Sequence, residues 1–371
     1  MGDKKRRLLV LGIGQTNFIA PLYTAIKNEL PNLSIDIDQL KDLSNSKKQR
    51  LDVFQEINYG KTSKLFRIFN LPMLLTYKWV WLSFNIAAVE RGFLYAIKLL
   101  NKINNNYSKA RKIGNKYDFI QIHFVSLSNI LAAPFFNEKS KLILSFWGSD
   151  LMRNSGMVNH FYVSQALEKA KYISVQSVEL REFILVKYGR HLSSKIKTVQ
   201  FILDGRIFNS IDEGRRREDI STYCKKNKIN ILVGHNASRF NNHIPIIDAI
   251  SKMPSTYHEK LHLIFTLGYG ENNKVKLIDY VEKIRSELIL SGLDHTIITD
   301  FLNHNQIAML RHSTEIMIHM PVSDALSAAM TESIYAGALV ITGSWLPYGP
   351  FKRCGSYFME VEKIEDLSFT L

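Results

Sequence analysis

The stretch Pro321-Val-Ser-Asp-Ala-Leu-Ser-Ala-Ala-Met-Thr-Glu-Ser-Ile-Tyr-Ala-Gly-Ala-Leu-Val-Ile-Thr342 predicts a loop, a helix and a buried strand in succession. The helix is predicted over Ala325–Tyr335, and Gly337 suits the left-handed position that often follows a helix end. The apolar run after Gly337 is typical of a strand that is buried on both faces of a parallel sheet. This order of elements favours an α/β fold.

Short apolar runs alternate with longer helical patterns on both sides of this stretch, which predicts parallel sheets with crossover helices. Strands are predicted at Leu8–Gly12, Leu33–Ile37, Phe119–His123, Lys141–Phe146, Tyr172–Gln176, Ile196–Val199, Asn230–Gly234, Leu261–Thr266, Thr296–Ile298, Ile316–His319 and Leu339–Thr342, with helices such as Ile244–Lys252 and Val275–Ser291. The alternation breaks in a charged segment near residues 212–230. We therefore expect two doubly wound domains, residues 1–210 and 230–371, with an exposed helix and linker at 211–229 and a cleft between the domains.

Length and composition fit this organisation, because 371 residues are enough for two domains of ordinary size. Apolar residues make up 46% and charged residues 22%, which excludes wholesale disorder. The sequence contains no run of about 18 apolar residues and no signal-peptide core, so we expect a cytoplasmic protein. Two cysteines, Cys224 and Cys354, cannot form a disulfide framework or a thiolate metal site.

The start of the predicted helix suggests a binding site for an anion. Small residues at 327–329 leave the first backbone N–H groups of the helix accessible, and such groups suit a diphosphate. Glu332 lies one turn further on the same face, and Asp324 lies in the preceding loop, so both carboxylates could accept hydrogen bonds from ligand hydroxyls. The alternative is a helix-capping Asp324 and a solvated Glu332.

The spacing of Asp324 and Glu332 resembles the donor motif of the family-4-type nucleotide-sugar glycosyltransferases, which have the GT-B fold of two Rossmann-like domains. The small residues between the acids and the Ala-Gly and Leu-Val-Ile-Thr exit are also similar. The resemblance implies that the first acid contacts the transferred sugar and the second the ribose. The family usually has Glu first, so Asp324 is a departure that shortens the reach by one methylene. The resemblance also implies transfer with retained anomeric configuration and without a metal ion.

The segment from Ile231 to Ile244 opens the second domain as a strand, a polar loop and the start of a helix. It resembles the corresponding loop of the lipid-linked 4-acetamidofucose transferase family of enterobacterial common antigen synthesis. The family-4 resemblance implies a diphosphate clamp at this loop, in which Arg239 supplies the permanent charge and His235 or His243 would add charge if protonated. The predicted donor-binding residues are Gly14, Asn236, Ser238, Arg239, Asn242, Phe301, Leu326, Ser327, Ala328 and Glu332. A polar loop with Asn-rich capping is the alternative.

In the first domain, polar residues follow the predicted strands at the carboxyl ends, where open α/β sheets bind ligands. Gly14 follows the first strand, but the glycine pattern is too incomplete for a dinucleotide-binding fingerprint. His123 ends a buried strand and is a candidate to orient the sugar or share a proton with it. Asp150 and Arg153 resemble the acceptor-side element of the same transferases. The alternatives are a core histidine and helix capping.

The basic charge of the chain is concentrated near its N-terminus: residues 1–120 hold 20 Lys and Arg against nine Asp and Glu, a net charge of +11 out of +14. Residues 61–116 hold eleven basic residues and one acid, Glu90, with interleaved aromatics. Such a segment favours peripheral contact with an anionic membrane surface. Core packing with a solvated basic face is the alternative. Nucleic acid is not an expected partner, because no recognised binding motif accompanies the segment.

Together, these features predict a glycosyltransferase with His123, Asp324 and Glu332 as catalytic residues. The expected donor is a nucleotide diphosphate sugar, with no further cofactor. The expected acceptor is a cell-surface glycan or a polyprenyl-diphosphate-linked glycan at the inner face of the cell membrane. The alternatives are a GT-B-fold nucleotide-sugar epimerase and a non-catalytic nucleotide- or glycan-binding protein.

Overall fold

The computed structural model describes residues 6–12, 16–38, 54–57, 62–200, 205–217, 220–271 and 273–371. The chain divides into two compact units, Met1–Ile202 and Leu203–Leu371. Each unit contains one parallel sheet whose strands alternate with helices.

The first unit is built on a seven-stranded sheet in the order β3-β2-β1-β4-β5-β6-β7. Every described strand pair in this sheet is parallel. Its elements are β1 Arg6–Leu11, α1 Thr16–Glu29, β2 Leu33–Asp38, β3 Gln55–Ile57, α2 Lys64–Leu75, α3 Lys78–Arg91, α4 Phe93–Ile113, β4 Phe119–His123, α5 Leu127–Ile130, β5 Lys141–Ser145, α6 Ser149–Met152, α7 Met157–Lys169, β6 Tyr172–Val175, α8 Val178–Tyr188 and β7 Ile196–Thr198.

The second unit is built on a six-stranded parallel sheet in the order β10-β9-β8-β11-β12-β13. Its elements are α9 Gly205–Arg217, β8 Ile229–Val233, α10 His243–Ser251, α11 Ser255–His258, β9 Leu261–Thr266, α12 Lys274–Ser291, β10 His295–Ile298, α13 His304–His312, β11 Ile316–His319, α14 Ala328–Ala336, β12 Leu339–Gly343, α15 Gly349–Arg353, β13 Met359–Val361 and α16 Leu367–Thr370.

Helices cover both faces of the second sheet, so its central strands are buried throughout. Ile231 and Val233 of β8 belong to one hydrophobic cluster, and Leu232, whose side chain points to the opposite face, belongs to another. The continuous apolar runs in the sequence therefore correspond to strands with two covered faces.

Three features differ from the sequence-based expectations. The edge strands β3 and β13 were not expected, because each has only three residues and little apolar pattern. The helix expected in an exposed linker instead forms α9, which begins at Gly205 and packs against α13. Ile211 of α9 is fully buried with Ala308 of α13 and Ala336 of α14. This apolar contact holds α9 on the second unit.

Each sheet has one place where the strand order reverses. In the second unit the chain runs outward from β8 to β10 and then returns to β11 beside β8. In the first unit the equivalent point lies between β1 and β4. Loops that follow the two strands at such a point diverge and leave a crevice at their carboxyl ends, where ligands bind in open α/β sheets.

Candidate functional site

The candidate site of the second unit lies at the carboxyl ends of β8 and β11. The loop after β8 contacts the loop after β11 through two hydrogen bonds: Val322 N donates to Phe240 O at 2.8 Å, and Asn242 Nδ2 donates to Met320 O at 2.8 Å. These bonds bring most of the predicted donor-binding residues into one neighbourhood.

The loop after β8 is shaped by its own polar side chains. Asn236 Oδ1 accepts hydrogen bonds from Ser238 N and Asn241 Nδ2, each at 2.9 Å. Gly234 begins the loop with φ +66°, and a Cβ there would lie 2.7 Å from His243 Nε2, so a side chain is excluded. The loop therefore has a defined conformation before any ligand binds.

Two of the predicted donor-binding residues, Arg239 and Phe301, are exposed at the border of this neighbourhood. Arg239 is exposed, and its guanidinium lies 5.5 Å from the centre of the Tyr280 ring. Phe301 is 69% exposed beside Tyr269, with ring centres 6.0 Å apart. A charged group and an aromatic ring are thus available to a ligand at this end of the sheet.

Asp324 lies in the loop after β11 and is held by residues that follow two different strands. Tyr348 Oη donates to Asp324 Oδ2 at 2.8 Å, and His319 Nε2 lies 3.3 Å from the same oxygen. Burial raises the pKa of the Asp324 carboxyl, but the hydrogen bonds from His319 and Tyr348 outweigh burial and lower the pKa below its ordinary value. The side chain keeps 28% of its surface exposed. Asp324 is therefore an anchored carboxylate with an accessible side.

Burial keeps His235 and His243 neutral, which corrects the expectation that either of them adds positive charge. Burial is the main cause that lowers the pKa of His235 to about 3, and the nearby His319 is the second cause. Burial also lowers the pKa of His243 to about 4. The rings of His235 and His319 lie 5.3 Å apart, and the Nδ1 atom of each is buried without a hydrogen-bond partner among the described residues. Positive charge in the loop after β8 therefore comes from Arg239.

The helix α14 begins after Ser327, whose Oγ accepts a hydrogen bond from Met330 N at 3.2 Å. Ala328 is the first residue of α14, and Leu326 is partly buried against the core. The helix ends at Gly337 with φ +95°, as its sequence predicted. Its N-terminal end therefore has the small-residue surface expected for an anion.

Glu332 of α14 is not the solvated side chain of the second alternative, because it is buried and ion-paired. Arg311 of α13 donates from Nε to Glu332 Oε2 at 3.1 Å, and the two residues are only 6% and 8% exposed. Oε1 of Glu332 has no protein donor among the described residues. One carboxylate oxygen is thus fixed by the protein, and the other can accept from a ligand.

His123, expected to be catalytic, is part of the core of the first unit. Its Nε2 lies 2.7 Å from Tyr23 Oη, which donates onward to Gln121, and its Nδ1 accepts from Trp147 Nε1 at 3.3 Å. The residue is fully buried, and burial lowers its pKa to about 3. Because both ring nitrogens are engaged within the protein, the catalytic assignment of His123 is corrected to that of a core histidine.

Asp150 also has an internal role. Its carboxylate accepts hydrogen bonds from the backbone N–H groups of Trp147, Gly148 and Val125 at 2.7–2.9 Å. Burial raises its pKa to about 6, against the opposing effect of these hydrogen bonds. The expected acceptor contact of Asp150 is therefore corrected to an internal role, in which its carboxylate joins the loop after β5 to Val125, whereas Arg153 is exposed after α6. Gly14 lies outside the described residues.

Three residues of the site were missed by sequence reasoning. His319 ends a buried strand, so the rule that selected His123 would have selected it too. Tyr348 follows β12 only after a turn, and nothing in its sequence context links it to Asp324. Arg311 lies in the last turn of a helix, where an arginine usually indicates no more than a favourable interaction with the helix dipole.

Among the helices of the described residues, none combines the length and the apolar character needed to cross a bilayer. Nor do their His, Cys, Asp and Glu side chains form a group of three or more that could hold a metal ion.

By sequence, no family profile and no curated protein matches the chain. Several solved structures match it by fold. Anabaena Alr3699/HepE, in complex with UDP and glucose, has a TM-score of 0.63 and 12% identity and covers 99% of this chain and 89% of its own. The N-terminal domain of Candida albicans trehalose-6-phosphate phosphatase has a TM-score of 0.65, 12% identity and coverage of 99% and 88%. A trehalose-6-phosphate synthase from Burkholderia multivorans has a TM-score of 0.63, 9% identity and coverage of 98% and 88%.

These similarities and the two parallel sheets define the class of the protein. It has the two-domain α/β fold of the GT-B glycosyltransferases, as the sequence predicted. Within that class, the second unit carries an anchored carboxylate, a buried Arg311–Glu332 pair and a helix N-terminus at the reversal of its strand order.

Proposed function

We propose that this protein is a glycosyltransferase that takes a sugar from a nucleotide diphosphate sugar and transfers it to a glycan acceptor. The observation that carries the proposal is the position of Asp324, whose carboxylate is anchored through Oδ2 by Tyr348 and is partly exposed. The fold supports the proposal, because solved structures with the same fold include one in complex with UDP-glucose.

Different residues of the second unit would bind different parts of the donor. The first amides of α14 and the exposed guanidinium of Arg239 would bind the diphosphate. Glu332 would accept a hydrogen bond from the ribose through Oε1 while Arg311 fixes Oε2. Asp324 would accept from hydroxyls of the transferred sugar, and Phe301 with the loop after β8 would border the nucleotide.

The reaction would depend on positioning and electrostatics. As the bond to the diphosphate breaks, the helix N-terminus and Arg239 would stabilise the departing negative charge. The sugar would develop oxocarbenium-like character, and the acceptor hydroxyl would attack from the face that the diphosphate leaves. The hydroxyl proton would pass to the departing diphosphate oxygen on that face. The product would then keep the anomeric configuration of the donor.

The buried histidine and aspartate of the first unit favour transfer over epimerisation. An epimerase would need acid and base groups beside the sugar, and His123 and Asp150 were the candidates. Both are buried, and their polar atoms are bound within the protein. A transferase of the kind proposed needs neither residue as a proton carrier.

We further propose that the acceptor is lipid-linked, so that the enzyme works at the inner face of the cell membrane. This part of the proposal rests on the resemblance of the Ile231–Ile244 segment to a transferase of lipid-linked substrates, and on the basic charge of the first 120 residues. A polyprenyl-diphosphate-linked glycan is the acceptor class that fits both.

The proposal is tested first by binding and then by transfer. UDP is the first probe, because a solved structure with this fold contains it. Selective binding of one nucleoside diphosphate should raise the unfolding temperature, since ligands that bind only the folded state stabilise it. With that donor, Asp324→Asn should lower transfer to an acceptor extract by about a hundredfold, the magnitude typical of losing one electrostatic group.

The matched control is Asp279→Asn, which alters an exposed aspartate on α12 and should leave turnover unchanged. The anomeric configuration of the product, read by NMR, tests retention separately. Unchanged turnover in Asp324→Asn would remove the donor-site assignment. Nucleotide binding without transfer or donor hydrolysis would instead indicate a non-catalytic binding protein.

A further inference from the structure

Three consecutive helices of the first unit expose an unusual number of large apolar side chains. Val89 is 82% exposed and Phe69 is 78% exposed. The set on α2, α3 and α4 comprises Leu65, Phe66, Ile68, Phe69, Met73, Trp81, Leu82, Val89, Phe93, Leu94 and Ile97. Contiguous exposed apolar residues of this kind mark interaction surfaces.

The helix α2 is amphipathic with its apolar side turned outward. Ile68 and Phe69 lie three and four residues after Leu65 and form one exposed stripe with it. The opposite face is held by the protein, since Leu74 is buried and Asn70 Nδ2 donates to Ser108 Oγ of α4 at 3.1 Å. The stripe is therefore not the core-facing side of this helix.

The same arrangement continues at the junction of α3 and α4. Val89 is exposed near the end of α3, while Ser83 and Ala87 on the other side of that helix are fully buried. Gly92 separates the two helices, and Phe93 and Leu94 are exposed in the first turn of α4. Apolar side chains thus lead from one helix to the next on the outer surface.

The charge around these side chains has one sign. Residues 64–113 contain nine Lys and Arg residues and one acid, Glu90. Glu90 Oε2 accepts a hydrogen bond from Val158 N at 3.1 Å, so this carboxylate is directed at α7 of its own unit. Exposed lysines such as Lys98 and Lys102 follow the apolar turn of α4. The surface is therefore apolar and basic, with its single acid engaged internally.

We propose that the outer surface of α2, α3 and α4 is a docking site for a bilayer that contains anionic lipids. Apolar side chains can enter the boundary between headgroups and acyl chains, while lysines and arginines attract anionic headgroups. A nucleic acid fits less well, because bases stack on aromatic rings, and seven of the eleven exposed apolar side chains have none. The surface would bring the enzyme to a lipid-linked acceptor, and in this respect the inference deepens the proposed function.

The test measures co-sedimentation of the full chain with two kinds of vesicle, phosphatidylcholine alone and phosphatidylcholine with roughly one third phosphatidylglycerol. We expect binding to the anionic vesicles that weakens with added salt. The double variant Lys98→Glu/Lys102→Glu should bind at least about 25-fold more weakly, since each lysine near an anionic surface contributes roughly fivefold. The double variant Leu65→Ser/Phe69→Ser should bind about tenfold more weakly, since it removes two apolar side chains from the headgroup boundary.

The matched controls are Ile289→Ser/Leu290→Ser and Lys276→Glu/Lys283→Glu on α12 of the second unit. These residues are as exposed as those they imitate, and both pairs should bind vesicles like the unaltered chain. Circular dichroism and thermal unfolding check that each variant folds. The proposal is overturned if the chain does not bind anionic vesicles, or if the control variants weaken binding as much as the test variants do. It is also overturned if only an oligonucleotide or a protein binds this surface.

Failure of the docking proposal and failure of the proposed activity can be distinguished, because vesicle binding and transfer are measured separately. Vesicle binding is measured without donor, so Asp324→Asn should not affect it. Transfer to a water-soluble acceptor analogue should in turn survive Leu65→Ser/Phe69→Ser. Loss of transfer in Asp324→Asn with normal vesicle binding supports both proposals, whereas vesicle binding without any transfer would leave the docking site and remove the proposed activity.

Discussion

Asp324 and Tyr348 are separated by 24 positions, and the structure joins them by a hydrogen bond of 2.8 Å. Tyr348 is almost fully buried, and its ring is stacked on His319 at 6.2 Å with an interplanar angle of 20°. Packing thus fixes the tyrosine, and the tyrosine fixes the carboxylate. A charge-assisted hydrogen bond of this kind contributes about 1.5–3 kcal/mol.

We predict that Tyr348→Phe lowers kcat/KM about tenfold and shifts the acid limb of the pH–rate profile to higher pH. The reason is that the hydroxyl favours the ionised carboxylate of Asp324, so its removal raises the pKa of that carboxyl. The ring remains, so packing on His319 is kept. Steady-state kinetics across pH measures both effects.

Tyr162→Phe is the control, because Tyr162 is also fully buried and its hydroxyl donates to Leu131 O in the first unit. That variant should lose a similar hydrogen bond without moving the acid limb. A pH profile of Tyr348→Phe that superimposes on that of the unaltered chain would show that the tyrosine does not act through Asp324.

The sequence alone could locate Asp324 and Glu332 but could not find their partners. The two acids were identified by their spacing along one segment, which is local information. Arg311 pairs with Glu332 across two helices, and this contact depends on how α13 and α14 pack against the same sheet. Glu332 was therefore expected to be ligand-facing or solvated, and its burial beside an arginine could not be foreseen.

His123 also shows that a position at the end of a strand is limited evidence for a functional residue. His123 and His319 both end buried strands, and both are fully buried. No local pattern around His123 indicates Tyr23 and Trp147, which engage both of its nitrogens. A position at the carboxyl end of a strand brings a side chain to the edge of the sheet, but its neighbours decide whether a ligand can reach it.

At the scale of elements, α14 and α8 begin in the same way. Ser327 Oγ accepts from Met330 N, and Ser177 Oγ accepts from Leu180 N, both at 3.2 Å. Both serines are buried. The helices differ in place: α14 begins at the candidate donor site, whereas α8 belongs to the first unit.

We predict that Ser327→Ala and Ser177→Ala each reduce the free energy of unfolding by about 1 kcal/mol, because each removes an N-cap hydrogen bond. Ser327→Ala should also weaken nucleoside diphosphate binding, since fraying of the first turn disorders the amides that would hold the diphosphate. Urea unfolding and ligand titration measure the two effects. Equal loss of nucleotide affinity in both variants would show that general stability, and not the start of α14, controls binding.

The sequence predicted helices and strands correctly where the hydrophobic pattern was long. It did not predict element boundaries and short edge strands, because tertiary contacts determine them. The helix expected from Ala325 begins at Ala328, because Ser327 caps it and the preceding residues form the loop that carries Asp324. The first strand was expected at Leu8–Gly12 and is observed at Arg6–Leu11. The short edge strands β3 and β13 exist through pairing with β2 and β12, which no local pattern encodes.

At the scale of the whole molecule, the sequence predicted the α/β class and the GT-B fold, but not the course of the chain between the units. The charge-rich segment at 212–230 suggested an exposed helix and linker at 211–229, yet α9 buries Ile211 against α13 and α14. Three apolar residues among many polar and charged ones give little signal, although Ile207 and Ile211 pack α9 onto the second unit.

The distribution of buried titratable groups predicts that acid destabilises the second unit more than the first. His235 and His243 have pKa values lowered by burial to about 3 and about 4. Between pH 6.5 and 4 both are neutral when folded and protonated when unfolded, so the unfolded state binds more protons and stability falls as the pH falls. Each contributes about 1.4 kcal/mol per pH unit in that window.

In the first unit the corresponding effects oppose each other. Burial lowers the pKa of His123 to about 3, which favours unfolding in acid, but burial also raises the pKa of Asp150 to about 6. Between about pH 6 and 4 the folded state therefore holds a proton on Asp150 that the unfolded state has released, and this stabilises the fold as the pH falls. The two contributions have similar size and nearly cancel.

Calorimetric unfolding at pH 7.5 and pH 5 should then show the larger loss of stability in the second unit. The transition of that unit is identified as the one that a bound nucleoside diphosphate shifts to higher temperature. His235→Asn should reduce the pH dependence of that transition by about 1.4 kcal/mol per pH unit below pH 6.5, because asparagine does not titrate. Above pH 7.5 both proteins should have the same slope, since histidine is neutral in either state. An unaltered slope below pH 6.5 would show that His235 is not a buried neutral imidazole.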